Sequence, residues 1–451
     1  MRSQTTLFAI ALLAAACGDD GESTQAGSST DAGSTTQANP TSGTGSTGLE
    51  SSSGPDVQDT SSSGGSSTGS GSVDCSDRPT DRPVARGEVE GVWDPVRARM
   101  VMFGGDLGIP VECMSQTDFT GQTWAFHPDC DSFEQIDNAG PQPPARGRHA
   151  TAYDPGRNWM LVHGGRYRAG TSGEYTLFDD TWALDLQTDT WVQVASGGPS
   201  ARANHTAVVA GDQMIVFGGN ASTNGLQFTP LDDLWALDLN RGTWTELQTA
   251  DGPSARLFHA ATVSPDGTTM FVYGGGDESA FTGPFSAELW QLDLRSGAWT
   301  LLDDSSATEP LRTIWGDLLF DAPRDQLVLW GAHEDNLLGN ANKVWAYDLG
   351  GGGWSMQAEG DVLQSDAAGF CDFPADFVAP DLDAPERRSA GATVLTDDGV
   401  MLVFGGKTDC GIIDDVWARD IAAGTWDRRV RATTGEICLR AFAEGCRTMC
   451  F

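Results

Sequence analysis

Four side chains look suited to binding rather than building: Arg312, Lys343, Trp315 and Trp330. The chain carries 63 acidic and 27 basic residues, so two neighbouring cations without a carboxylate partner would be an expensive arrangement unless an anion sat between them. With two indoles as an apolar wall and the segment from Phe370 to Phe377 as a cover, the chemistry expected is capture of a carboxylate-bearing ligand. His149, His205 and His259 invite a metal, but they occupy one repeated position in successive copies of a unit. Packed sheets lie about 10 Å apart, whereas zinc–nitrogen bonds are near 2.0–2.1 Å, so the three are expected to hydrogen-bond within their own copies instead. His163 reads as a packed core residue, and His127 and His333 as isolated loop residues. Asp129, Asp131 and the acidic stretch 361–383 lack the spacing of a calcium loop and read as solvated loops. There is no Gly-x-Ser-x-Gly elbow, phosphate loop or His-Glu-x-x-His helix, so neither a metal nor a cofactor is implied.

The elements that must position these residues recur six times. An aromatic pair nine residues apart appears as Trp124/Phe133, Trp182/Trp191, Trp235/Trp244, Trp290/Trp299, Trp345/Trp354 and Trp417/Trp426. The residues between alternate polar and apolar up to a short break, and Asp131, Asp189, Gly242, Gly297, Gly352 and Gly424 stand two positions before the second aromatic. These types tolerate the positive φ of a bulged hairpin turn. Upstream of each pair lies an apolar strand ending in Gly104-Gly105, Gly164-Gly165, Gly218-Gly219, Gly274-Gly275, Gly331-Ala332 or Gly405-Gly406. Further upstream, a strand is led by Arg86, Arg146, Arg202, Arg256, Arg312 or Arg387. The residue two before the first aromatic is acidic in four copies, Asp180, Asp233, Glu288 and Asp415, and is expected to pair with the leading arginine. The fifth copy carries Lys343 there and Trp315 at the histidine position, which is why it attracts the anion-site reading.

This order, Arg-x-x-His, apolar-Gly-Gly, Trp and Trp, resembles the kelch repeat from about Pro83 to Val430. The resemblance implies an all-β, six-bladed kelch-type β-propeller with four antiparallel strands per blade, spanning residues 76–430. It implies a binding scaffold for a protein or glycan ligand, acting as a monomer; the alternative is a carbohydrate-acting enzyme resembling kelch-type sialic acid epimerases or oxidases. The copper site of galactose oxidase is not matched by the five tyrosines here.

The rest of the chain gives an address. Residues 1–16 read as an export signal, an apolar run too short to span a bilayer, and Ala14-Ala15-Ala16 before Cys17 resembles the lipobox of bacterial lipoproteins. That resemblance implies a diacylglyceryl anchor on Cys17 and a place in the cell envelope, at the outer membrane or cell surface. Residues 17–75 are a Ser/Thr/Gly-rich tether with no apolar periodicity. A net charge of −36 opposes nucleic-acid binding. Eight cysteines remain besides Cys17, an even number suited to an oxidising compartment. Loop positions on a propeller favour Cys371 with Cys410 and Cys75 with Cys113, leaving Cys130, Cys438, Cys446 and Cys450 for a clasp at 431–451.

Overall fold

The computed structural model describes residues 75–433, apart from 77, 109–116, 138, 171, 226, 281–282, 305–309, 311, 335–339, 361–382 and 409–410. Cys17 and the tether, Cys113, Cys371, Cys410 and the cysteines of the 431–451 clasp lie outside the described residues.

Among the described residues there are six four-stranded antiparallel sheets, each built from consecutive strands of one repeat. The innermost strands are Glu90–Asp94, Ala150–Asp154, Thr206–Ala210, Ala260–Val263, Asp317–Asp321 and Ala392–Leu395. Each packs against the next, and the sixth returns to the first, so the sheets form the blades of a closed ring. Each blade ends in the outer strand of the tryptophan hairpin, from Ser132–Gln135 in blade one to Thr425–Val430 in blade six.

One contact repeats at all six seams. The second residue of each Gly-Gly pair donates its N–H to the carbonyl of the strand-leading position in the next blade. The pairs are Gly105 to Arg146 (2.9 Å), Gly165 to Arg202 (2.8 Å), Gly219 to Arg256 (2.9 Å), Gly275 to Thr313 (2.9 Å), Ala332 to Arg388 (3.3 Å) and Gly406 to Arg86 (2.8 Å). Glycine is needed because the neighbouring blade comes so close: a Cβ on Gly164, whose φ is 63°, would lie 2.6 Å from the His205 ring and 2.8 Å from the Arg202 carbonyl.

Aromatic side chains fill the same seams as a second ring. Phe103 meets Trp191, His163 meets Trp244, Phe217 meets Trp299, Tyr273 meets Trp354, Trp330 meets Trp426 and Phe404 meets Phe133, with centroids 4.9–5.7 Å apart. His163 thus takes the place of a Phe or Tyr, fully buried, as the sequence led us to expect. Trp330 is 1% exposed between blades five and six, so it is core and does not wall a ligand site.

The repeated histidines also belong to the seams rather than to single blades. His149, His205 and His259 pack edge-on against Phe103, His163 and Phe217 of the preceding blade. Only His259 has a described hydrogen bond, with Thr206 of that blade at 2.8 Å, and both ring nitrogens of His149 and His205 are buried without one. The expectation of hydrogen bonding within blades is corrected accordingly.

Burial pushes His149, His163 and His259 down to about 3, His333 to about 4, and His205 well below its ordinary value. Below pH 6.5 the unfolded chain therefore takes up protons that the fold refuses, costing up to about 1.4 kcal/mol per pH unit per histidine. Asp317, which burial raises to about 7, acts in the opposite sense between about pH 7 and 4, since the fold then holds a proton that the unfolded chain has released, and Glu90, raised by burial and the nearby Asp317, acts in the same sense. The five histidines outweigh the two acids, so chemical unfolding should show stability falling from pH 6.5 to about 4.5 and falling more steeply below that. A stability that rises between pH 5 and 4 would contradict this account.

Candidate functional site

The expected ion pairs form in four blades: Arg146–Asp180 (2.6 Å), Arg202–Asp233 (2.6 Å), Arg256–Glu288 (2.8 Å) and Arg388–Asp415 (2.5 Å). In each, the arginine also donates to the first glycine's carbonyl, and the hairpin tryptophan's Nε1–H donates to the same carboxylate. Blade one substitutes Gln122, which accepts from Arg86 at 3.0 Å and from Trp124 at 3.2 Å.

Two registers differ from the sequence reading. In blade six the position belongs to Arg388, not Arg387, and in blade five to Thr313, one residue after Arg312. Arg312 is exposed and Lys343 pairs with Glu334 at 3.0 Å. The premise of an anion pocket on these two cations is thereby removed: Arg312 is not the arginine of the repeat, and a carboxylate already answers Lys343. The shift also moves Trp315 off the histidine position, where Gly316 stands.

Trp315 instead belongs to a ring at one mouth of the central channel. Two residues after each leading position the backbone is left-handed: Glu88, Arg148, Asn204, Phe258, Trp315 and Ala390 have φ between 53° and 60°. At four seams the N–H of one of these donates to the carbonyl of its counterpart in the preceding blade, as Trp315 does to Phe258 at 2.9 Å. Just outside stand the residues that follow each Gly-Gly pair or its equivalent, Asp106, Arg166, Asn220, Gly276, His333 and Lys407.

The two rings are lopsided. On the side of blades one, two and six, the Glu88 carboxylate is enclosed by Lys407 Nζ (2.7 Å), Arg148 Nε (2.8 Å) and Arg166 Nη2 (3.0 Å). Burial alone would raise Glu88, but these three cations hold it well below the usual carboxylate range. Arg166 and Arg168 both stack on Tyr175, at 4.1 and 4.4 Å from its centroid. Blades four and five supply Phe258 and Trp315, with centroids 4.4 Å apart, and His333 6.2 Å beyond. Arg148 joins the halves, its guanidinium carbon 5.1 Å from the Phe258 ring and 5.2 Å from that of Trp315. Its side chain is 8% exposed, yet Nη1 is buried with no hydrogen-bond partner among the described residues. Below the mouth a cavity of about 690 Å³ follows the inner strands to the turns at Pro95, Pro155 and Pro265.

A Kelch-repeats domain model, described as KLHDC2/KLHL20/DRC7, matches residues 92–314. The chain is a kelch-repeat propeller. Relatives of this propeller include Kelch domain-containing protein 10 of Xenopus tropicalis, 32% identical over 39% of this chain and 40% of that one. Acyl-CoA-binding domain-containing protein 4 of Arabidopsis thaliana is 27% identical over 56% of this chain and 35% of its own, and human Multiple epidermal growth factor-like domains protein 8 is 26% identical over 69% and 10%. The kelch-repeat chain thus spans less than half the length of each.

The propeller carries one disulfide among the described residues. Cys75 bonds Cys130, with Cα atoms 5.6 Å apart, so the expected pairing with Cys113 is overturned and Cys130 is not available to a C-terminal clasp. Cys130 lies in the hairpin turn of blade one, so the lead-in enters from the face opposite to the mouth. It then runs along the seam with blade six, where Arg82 reaches the Arg431 carbonyl at 2.9 Å and Asp414 at 3.2 Å. Arg429 crosses the same seam to the Pro128 carbonyl (2.6 Å) and Asp131 (2.7 Å).

Proposed function

We propose that this protein is an envelope-anchored binding scaffold, lipidated at Cys17 and held off the membrane by its tether, that seats an anionic group of a protein or glycan ligand at the mouth of the propeller. The observation that carries the reading is Arg148, a buried guanidinium in a cationic half-ring whose Nη1 has no hydrogen-bond partner among the described residues. Residues 81–451 carry a net charge of −29, so cations gathered at one mouth make a local field opposite to that of the whole and steer anions there. The backbone supports it too. A bulky residue at positive φ costs about 1–2 kcal/mol and tends to mark a functional site, and the mouth holds Arg148, Phe258 and Trp315 in that state where glycine would sit without strain.

The test uses cells displaying the full chain, probed with immobilised uronic-acid and sialylated glycans and acidic peptides. Wild-type cells should capture a subset of these probes, Arg148→Met should weaken capture about 10- to 100-fold, the loss of one charge-assisted contact, and Cys17→Ser should release the protein from the cells. Undiminished capture by Arg148→Met would sink the mouth as the site, and retention of Cys17→Ser would sink the anchor.

A further inference from the structure

The channel immediately below the mouth holds two carboxyl groups that no described cation answers. Glu90 and Asp317 occupy the same level of the inner strands of blades one and five; the equivalent positions elsewhere are Ala150, Thr206, Ala260 and Ala392. Both line the 690 Å³ cavity, and none of the ion pairs found among the described residues includes either. Asp317 accepts a hydrogen bond from Thr393 of blade six at 2.7 Å, which holds its carboxyl in place. Burial, and for Glu90 the nearby Asp317, push both up, Asp317 to about 7. Two acids at one level of the channel, among residues otherwise small, are a cost that apolar side chains would not incur.

We propose that the mouth and the channel level below it form one site for a zwitterion, with the anionic group on Arg148 Nη1 and an ammonium between Glu90 and Asp317. The inference rests on the mouth reading above and adds the second charge. Two independent features of one cavity carry it: the unpartnered, buried Arg148 Nη1 and the unanswered carboxyl pair. Glu90 and Asp317 open the inner strands two positions beyond the mouth residues Glu88 and Trp315, one level below Arg148, so the ligand's two charges are set apart along the channel rather than on adjacent atoms. That separation suits a short ω-amino acid or an amino-sugar acid better than an α-amino acid, whose charges are adjacent. The Phe258 and Trp315 rings flank the entrance, where the ligand's carbon chain would pass.

Calorimetric titration of the full chain with 5-aminopentanoate, pentanoate and pentylammonium separates the two readings. The zwitterion should bind at least tenfold more tightly than pentanoate. In Glu90→Gln and Asp317→Asn that advantage should fall to within twofold while pentanoate binding persists, and in Arg148→Met both ligands should weaken. Because these variants remove a buried acid that ionises unfavourably, Asp317→Asn should also melt no lower than wild type at pH 8, which guards against misreading an unfolded protein. If the zwitterion and pentanoate bind equally to wild type, the carboxyl pair is not part of the site, though the mouth reading stands. If neither binds, or Arg148→Met changes neither, both readings fall.

Discussion

Arg202→Met should lower the unfolding free energy by about 3–5 kcal/mol, the cost of removing one partner from a buried charge pair. Arg202 is fully buried, with Nη1 donating to Asp233 Oδ1 (2.6 Å) and the Gly218 carbonyl (2.9 Å), Nη2 to Asp233 Oδ2 (2.7 Å) and Nε to the Ser200 carbonyl (3.0 Å). Methionine fills much of the volume but answers none of these acceptors. Burial alone would raise the Asp233 carboxyl, and the arginine, with the Trp235 indole, is what holds it below its ordinary value. Asp233 is 24% exposed, so water relieves part of the loss and the lower end of the range applies if the seam loosens. Urea unfolding of Arg202→Met, Asp233→Leu and the double variant measures the coupling. The double variant should recover part of the loss, because it strands no charge. A single-variant cost below about 1 kcal/mol would show that the repeated pair is incidental.

Loss of the Cys75–Cys130 bond should be nearly as damaging. It closes a loop of 55 residues, for which chain entropy suggests about 4 kcal/mol. It also fixes the lead-in whose Arg82 bridges to Asp414 and Arg431, so the blade one–six seam loses a tie when it opens. Cys75→Ser and reduced wild type should both unfold at markedly lower urea, and proteolysis should cut first at the lead-in. Unchanged urea midpoints, or peptide mapping that joins Cys75 to Cys113, would refute the assignment.

What the sequence made legible is what it repeats. The hairpin turns recur in six copies, the Gly-Gly pair in five and the arginine–carboxylate–tryptophan triad in four, so a misreading in one copy is checked by the others. Where a copy offers two candidates the repetition fails: Arg387 and Arg388 stand side by side, and in blade five an arginine lies one place early beside Thr313. Only the backbone contact from the preceding blade, Ala332 to Arg388 or Gly275 to Thr313, fixes the register. The mouth was missed for the converse reason. Its residues share a position but no chemistry, so no motif announces them. The signal was present in the column two places after the leading position, where a repetitive array turns abruptly varied: Glu, Arg, Asn, Phe, Trp, Ala. The Cys75 pairing could not be read, since it depends on which face the lead-in enters.

That varied column separates two demands usually entangled in a binding protein. The left-handed turn at the mouth holds a carboxylate, a guanidinium, an amide, two aromatics and a methyl group at nearly one φ, so a single backbone frame displays five different chemistries. Ligand preference can therefore be varied along this column on one backbone frame, with Glu88 set apart because it ties blades one, two and six through Lys407, Arg148 and Arg166.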